Sequence, residues 1–571
     1  MSNRENRGNV KSITLNSPEV SKLIVLVKES YRSTKQGVKY FIEPAAGTLI
    51  QATSRVHSIV FGRRGSGKSS LLRKAAADLT VDRRPIAYVD LESFKGHAYP
   101  DVLLSVLIQT FKEFEQWLRT AAINPSSKTT FWNNLFGRVP QRPAFNKRDA
   151  DQLANTLKAV INELIQVLNA ADEMNVQRVR KNEIQSKSEA NVDGTLGTPI
   201  AKVKSGLIEE EHQTDSEEIQ EAFQTNKIDF LHRHILEYQE IFRVMSRISN
   251  GDSYLFLDDL YYIRRSDQAK LVDYFHRIAK GNNLWLKIGT VRHRSTWYVK
   301  GDPTYGLKLG DDAHVINLDL TLENYSTTKK FLLTILQAFV NESGLGDLKK
   351  IFVDDAINRL VLASGGVARD FLGIFDQSIT VAKERIESGD KFRTERVGRE
   401  DVNRAAGKYA TTKMDEFKTD TLSDEEHISL EDAFKRIKTF CISYAKSNLF
   451  LYETVKEKGL AILQELMDLR LIHKVNSHVT VSKRIGKYFE AYVLDVSAYS
   501  EIRKRREFEE IIFWQKETNV RRIGFILEEE LLMSKDAIPE PNEGDEIAKS
   551  KSDLPRKKGN KNLQMSLFDI E

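Results

Sequence analysis

Apolar positions follow two rhythms along this chain. In the first part, short apolar runs alternate with stretches of helical spacing. Ile59–Phe61 leads through a glycine-rich turn into a helical run at Ser70–Leu79, Pro85-Ile-Ala-Tyr-Val-Asp-Leu91 reads as a buried strand, and Tyr99–Trp117 reads as a helix. Such alternation over about 30–110 predicts a parallel α/β sheet. The alternation then stops. From about 118 to 250 the pattern is helical and polar, with apolar spacing at Leu153, Leu157, Val160, Ile161, Leu164, Val167 and Leu168, and a second helical run over 217–248. Strands return at Ser253–Leu257 and Leu284–Ile288, and the pattern over 315–410 is helical. Two more helices are expected at Leu430–Lys446 and Val455–Leu471, followed by short strands Ile472–Val475 and Val479–Val481 around an Asn476-Ser477 turn.

The turn after the first strand carries the clearest chemistry. Gly62-Arg63-Arg64-Gly65-Ser66-Gly67-Lys68-Ser69-Ser70 has the spacing Gly-x-x-x-x-Gly-Lys-Ser, with a strand before it and a helix after it, which is the context a phosphate-cradling P-loop needs. Its glycines let backbone N–H groups close around phosphates, and the new helix adds its positive end. Lys68 can reach the β- and γ-phosphates, and the Ser69 hydroxyl can ligate Mg²⁺. ATP or GTP binding follows, and ATP with Mg²⁺ is the assigned pair.

Other strand ends supply candidate partners. Tyr254–Leu257 ends in Asp258 and Asp259, which places carboxylates at the carboxyl edge of the sheet beside the P-loop. Asp258 is expected to hold the metal and Asp259 to polarise the attacking water; a plain acidic turn is the alternative. The next strand ends in Thr290-Val-Arg292-His-Arg294, whose hydroxyl and guanidinium could report loss of the γ-phosphate or form a solvated basic turn. Ala363-Ser-Gly365-Gly366-Val-Ala-Arg369 reads as a turn launching a helix, with Arg369 able to swing onto the phosphates from a lid. Arg264 and Arg265 read either as solvated helix-start cations or as an arginine finger for a neighbouring subunit.

The order of P-loop, acidic strand, Thr-x-Arg strand and Gly-Gly-x-x-Arg lid resembles the AAA+ superfamily, and within it the origin-recognition initiator and STAND ATPases. The resemblance covers roughly 40–110 and 250–500. It implies that Thr290 and Arg292 match sensor 1 and Arg369 sensor 2. The expected fold is an α/β P-loop NTPase with a parallel RecA/AAA+-like sheet, a long helical insertion, an α-helical lid and a C-terminal winged helix. The expected divisions are an N-terminal segment (1–29), the ATPase core (30–310) with its insertion (118–250, flexible tip 184–211), the lid (311–415), the winged helix (428–515) and a disordered tail (534–571).

Composition narrows the setting. At 571 residues the chain exceeds a single core, and its 40% hydrophobic and 29% charged residues fit globular, soluble domains. One cysteine, Cys441, excludes a disulfide framework or a Cys-based zinc site and fits a reducing compartment. No apolar run approaches bilayer-spanning length and no secretory leader opens the chain, so a cytoplasmic protein without a membrane partner is expected. The net charge of +5 is small for this length, so nucleic-acid contact has to come from local clusters.

Lys474, Lys483, Arg484 and Lys487 form one such cluster, suited to phosphates of double-stranded DNA or, alternatively, to solvated positions on a protein-docking winged helix. The tail ends in an apolar cluster, and Gln564-Met565-Ser566-Leu567-Phe568 resembles the bacterial sliding-clamp-binding pentapeptide. That resemblance implies that Leu567 and Phe568 fill the clamp pocket, with Gln564 at its rim and Met565 in the aliphatic position. The expected function is a slow, nucleotide-switched ATPase acting on or near DNA and recruited to the replication clamp. A homo-oligomer and an effector protein are further expected partners, and genome maintenance, mobile-element biology and antiviral defence are open uses. The alternatives are a nucleotide-regulated scaffold that controls an effector without DNA, and a small-molecule kinase, which Arg369 and the Thr-x-Arg strand argue against.

Overall fold

The computed structural model describes residues 13–31, 40–81, 84–122, 147–189, 226–389, 394–420, 424–481, 484–500, 508–514, 520 and 525–533. Its central sheet has five strands, β1 (His57–Phe61), β2 (Ile86–Asp90), β3 (Ser253–Asp258), β4 (Leu284–Thr290) and β5 (Ala313–Asn317), in the order β2-β3-β4-β1-β5. Every pairing is parallel, and the registers set Asp90 beside Asp258 and Phe61 beside both Thr290 and Asn317. The carboxyl ends therefore share one edge, where ligands bind in open α/β sheets. β1 and β3 are buried throughout, which explains their unbroken apolar runs. The expected α/β P-loop fold is present.

β5 departs from the helical reading that began at about 315. It is an edge strand with His314, Val315 and Asn317 exposed, so its sequence shows little alternation. Pairing with β1 makes it a strand.

The helix α2 (Lys68–Val81) follows the P-loop. α3 (Asp101–Ala122) runs without a break past residue 118, where the insertion was expected to begin, and packs with α4 (Lys147–Glu189) and a helix α5 spanning 226–249. Phe111, Phe114, Leu157, Leu164, Tyr238 and Phe242 fill that seam within the same core as β1, β3 and β4. The insertion thus extends the core of the sheet. Its expected tip lies, from residue 190 on, outside the described residues.

After α6 (Arg265–Ala279) and β5 come the lid helices α7 (Tyr325–Ser343), α8 (Asp354–Ala363), α9 (Ala368–Glu387) and α10 (Arg399–Asp420). The C-terminal unit has α11 (Asp424–Thr439), β6 (Leu449–Glu453), α12 (Glu457–Asp468), β7 (Ile472–Thr480) and β8 (Tyr488–Leu494), with a short β9 (Phe525–Ile526) in the sheet order β9-β6-β8-β7. This helix, strand, helix and hairpin order is a winged helix with one helix between β6 and β7.

Three expectations change here. Asn476-Ser477 lies inside β7, where the pairing with β8 shifts register, and the hairpin connection comes later, between Thr480 and Tyr488. Ser477 does not turn because its N and Oγ both donate to Glu323 of the preceding domain, at 2.7 and 3.1 Å. β6 fills the gap between the two expected helices. The stretch left between the expected lid (311–415) and winged helix (428–515) is helical through Asp420 and again from Asp424.

The lid and the winged helix are not separate globules. Leu360, Phe371 and Phe375 of the lid share one buried cluster with Leu430, Leu451, Leu466 and Tyr492. α1 (Pro18–Glu29) joins the same cluster through Val20, Leu23 and Val27, packed on α7 and α9. The N-terminal helix is therefore a lid element rather than a free segment.

Candidate nucleotide site

The P-loop leaves β1 at Gly62 and enters α2 at Lys68. Gly65 and Gly67 take φ of 82° and 100°, the left-handed region that a side chain resists. A Cβ on Gly65 would lie 2.7 Å from the Cβ of Arg369, so the glycine also makes room for the lid. Lys68 is 4% exposed and donates from Nζ to the Gly62 and Arg63 carbonyls at 2.9 and 3.2 Å. Burial lowers its pKa, opposed by Asp259, Asp258 and Asp319, while the nearby Arg369 lowers it further.

Asp258 is buried where β3 ends, accepts a 2.5 Å hydrogen bond from Tyr88 at Oδ2, and is also bonded by the Ser69 hydroxyl. Burial raises its pKa against the pull of Tyr88, Ser69 and Lys68. Tyr88 is itself held under the guanidinium of Arg73, 4.5 Å from its ring centre. Asp259 follows at φ 58°, ψ 49°; burial and then the charge of Asp258 push its carboxyl up to about 7.

These groups meet at a cavity of about 770 Å³ lined by Arg64 to Ser70, Arg73, Asp90, Asp258, Asp259 and Arg369. Its far wall is apolar, with Tyr40, Phe41, Phe331, Ile335 and Phe339, and the Tyr40 and Phe339 rings are 4.9 Å apart. A flat base with a phosphate tail matches that division. Asp258 Oδ1 and Ser66 Oγ are buried without hydrogen-bond partners, both at the cavity, which suits groups meant for Mg²⁺ and phosphate. Among the described residues no cluster of three or more His, Cys, Asp or Glu could hold a metal. Mg²⁺ needs none, since it binds through one or two carboxylates and the phosphates themselves.

The lid closes on the P-loop through backbone. Arg369 N donates to Gly65 O at 3.3 Å. The Gly365-Gly366 turn exists for close approach: a Cβ on Gly366 would lie 2.5 Å from Leu320 O, and one on Gly365 would overlap the His473 ring of the winged helix. Arg63, expected among the phosphate-binding residues, is buried away from the cavity lining. It bridges the P-loop to the lid, donating from Nη2 to Leu320 O at 2.9 Å and Gly365 O at 3.2 Å, with Nε 3.4 Å from Asp319.

Behind Arg369 runs a buried chain of charges. Asp370 meets Arg470 at 2.5 Å and Lys413 at 3.5 Å, Lys413 meets Asp495 at 2.8 Å, and Arg470 also pairs with Glu416, which lines the cavity. Burial would raise Asp495, yet Lys413 and His473 hold its carboxyl below the ordinary range. Burial lowers the pKa of His473, whose Nε2 lies 2.8 Å from Asp495 Oδ2.

Thr290 and Arg292 do not line the cavity. Thr290 is buried with its hydroxyl on Ser295, and Arg292 lays its guanidinium 4.1 Å over the Phe61 ring. The apolar wall, Tyr88, Arg73 and Glu416 escaped the sequence reading. Tyr40-Phe41-Ile42 just before the first strand is the visible trace of that wall; the others become neighbours of the site only through the fold.

Where the core meets the winged helix, Asp468 accepts a 3.3 Å hydrogen bond from His293 N. Burial, then the nearby Asp319, pushes it up to about 7, with Arg63 and Arg294 opposing. The folded pKa exceeds the unfolded one, so the folded chain binds more protons between about pH 4 and pH 7 and stability falls across that window. Asp468→Asn is expected to be more stable than the parent by roughly 1–3 kcal/mol at pH 8 and to match the parent near pH 4, as thermal melts at the two pH values would show.

The described members of the basic cluster are all paired with carboxylates: Lys474 with Glu490 at 3.2 Å, Arg484 with Glu528 at 2.9 Å, and Lys487 with Glu453 at 2.9 Å. Lys483 lies outside the described residues, as do Gln564, Met565, Leu567 and Phe568 of the tail. Among the described residues, no helix is long and apolar enough to cross a membrane.

No protein-family model matches this sequence, and no curated protein matches it. Among solved structures, Cdc6p from Pyrobaculum aerophilum is similar over 78% of this chain and 85% of its own, at 11% identity and a TM-score of 0.28. The Orc1 protein of Aeropyrum pernix, solved in complex with DNA, is similar over 84% of this chain and 92% of its own, at 13% identity and a TM-score of 0.28. At that level of likeness, the strand order and the geometry of the cavity are the firmer description of this chain.

Proposed function

We propose that this chain is an ATP-hydrolysing switch whose lid and winged helix move as one body. The observation that carries the reading is the convergence of Lys68, Asp258, Asp259 and Arg369 on one cavity closed by the bond from Arg369 N to Gly65 O. Mg²⁺, when bound, would be held by Ser69 and Asp258 and would neutralise charge on the phosphates. Lys68 turns from its loop carbonyls to the β- and γ-phosphates, and Arg369 adds a second cation from the lid. Asp259 orients a water for in-line attack on the γ-phosphorus and takes its proton as the bond to the β-phosphate oxygen breaks. ADP and phosphate leave, and the charge that held Arg369 is lost. Because lid and winged helix share a core, hydrolysis is read out as their joint displacement. The test is phosphate release from ATP by the full chain; no turnover above that of Asp259→Asn would end the reading.

Two further parts concern where the switch acts. The Gln564–Phe568 peptide supports recruitment to a bacterial sliding clamp, and thereby to DNA. Deleting 564–571 is expected to abolish capture by immobilised clamp while ATP binding persists; unaltered capture would remove the assignment. For the winged helix, the carboxylate partners of Lys474, Arg484 and Lys487 favour the second reading, a surface that faces an effector protein rather than duplex phosphates.

A further inference from the structure

The basic turn after β4 does not line the nucleotide cavity. Arg292, His293 and Arg294 form one tight helical turn beyond the sheet edge. Arg265, the first residue of α6, donates from Nη2 to His293 O at 3.2 Å and lies 3.4 Å from Thr296 Oγ1 through Nε. Arg264 beside it donates to Gly96 O at 3.1 Å. The bonds of Arg264 and Arg265 thus go to carbonyl and hydroxyl oxygens, unlike those of the winged-helix lysines, which go to carboxylates. Burial and then the charge of Arg292 lower the pKa of His293, with Asp319 opposing and Lys474 and Arg265 adding to the shift.

A rigid ribbon continues this surface. Tyr298–Val299 pairs antiparallel with Tyr305–Gly306. Gly306 N donates to Asp273 of α6 at 3.1 Å, Thr296 N donates to Gln268 of α6 at 2.6 Å, and Trp297 packs edge-on to Phe61 at 4.8 Å. The hairpin is pinned at its base, yet Val299 and Tyr305 are each 42% exposed and the 300–304 tip, which carries Lys300 and Asp302, is exposed throughout. A solvent-facing aromatic on a hairpin packed along α6, with Arg264 and Arg265 at the start of that helix bonding carbonyl and hydroxyl oxygens, is the combination that takes unpaired bases: the ring stacks and the cations hold phosphates.

We infer that the start of α6, the 292–294 turn and the 298–306 hairpin form a strip that binds single-stranded nucleic acid, with Arg264 and Arg265 on phosphates and Tyr305 stacked on a base. The strip lies away from the nucleotide cavity, so it stands whether or not the chain hydrolyses ATP.

The experiment is fluorescence anisotropy of the full chain with a labelled oligothymidine and with a duplex of equal length, across a salt series. The parent is expected to favour the single strand. Arg264→Ala/Arg265→Ala should bind it at least about tenfold more weakly and flatten the salt slope by about 1.4, at about 0.7 per phosphate contact. Tyr305→Ala should lose about tenfold with the slope unchanged, since stacking is not ionic. Thermal melts of each variant separate lost binding from lost fold, and the exposed Tyr305 position keeps the test alive if the arginine pair proves unstable. No single-strand binding by the parent, tighter duplex binding, or unchanged affinity in folded variants would each overturn the strip. A defect confined to concentration-dependent ATP turnover would also overturn it, giving the arginines to a neighbouring copy's nucleotide instead.

Discussion

Arg470→Ala is expected to lower the unfolding free energy of the lid and winged-helix body by about 3–5 kcal/mol, the cost of leaving a buried charge without its partner. Arg470 is 2% exposed and satisfies two carboxylates from two elements, Asp370 at the start of α9 and Glu416 on α10. Asp370 is fully buried, and Lys413 at 3.5 Å is shared with Asp495, so truncation leaves Asp370 half-compensated in a dry interior. Arg470 also sits at φ 64°, so a glycine there relieves backbone strain of about 1 kcal/mol that alanine retains. Denaturant titration of Arg470→Ala, Arg470→Gly and Arg470→Ala/Asp370→Ala resolves the parts. The double variant should recover much of the loss because the orphaned charge is gone. A loss under about 1 kcal/mol in the alanine variant would show that the network contributes little.

Asp259→Asn is expected to cut ATP turnover by about 10²–10⁴ while ATP affinity stays near that of the parent, the usual share of a positioned general base. The substitution suits the site because asparagine tolerates the left-handed backbone that Asp259 adopts and keeps the side-chain shape. The ability to take a proton is removed, together with one negative charge near Lys68. Single-turnover phosphate release with calorimetric ATP binding separates the two quantities. Equal losses in both would make Asp259 a binding residue, and unchanged turnover would remove it from the chemistry.

The sequence revealed those parts of the site that lie on contiguous chain. The P-loop spacing and the acidic end of β3 are local patterns, and parallel pairing alone brings them to one edge. Arg369 was also visible, because a Gly-Gly turn before a helix is local. What was hidden depends on packing between distant segments. β5 is set by its neighbour β1, Ser477 is straightened by Glu323, and Arg63, inside the P-loop motif, is drawn off to Leu320 and Gly365. Arg292 shows the same limit: its place in the sequence suggested the phosphates, and the Phe61 ring holds it elsewhere.

The seat of α1 on the lid limits how that lid can travel. The chain leaves α1 at Glu29, passes the cavity wall at Tyr40, and enters the sheet at His57; it leaves the sheet again at Asn317 and starts α7 at Tyr325. The lid body is thus leashed to the sheet twice, from opposite ends of its own sequence. The connection from Asn317 to Tyr325 is short and fastened to the P-loop by Arg63 through Asp319 and Leu320. A body joined to the sheet through that fastened connection pivots about it. Freed of the Arg63 bonds to Asp319 and Leu320, the same connection would let the lid travel further from the cavity.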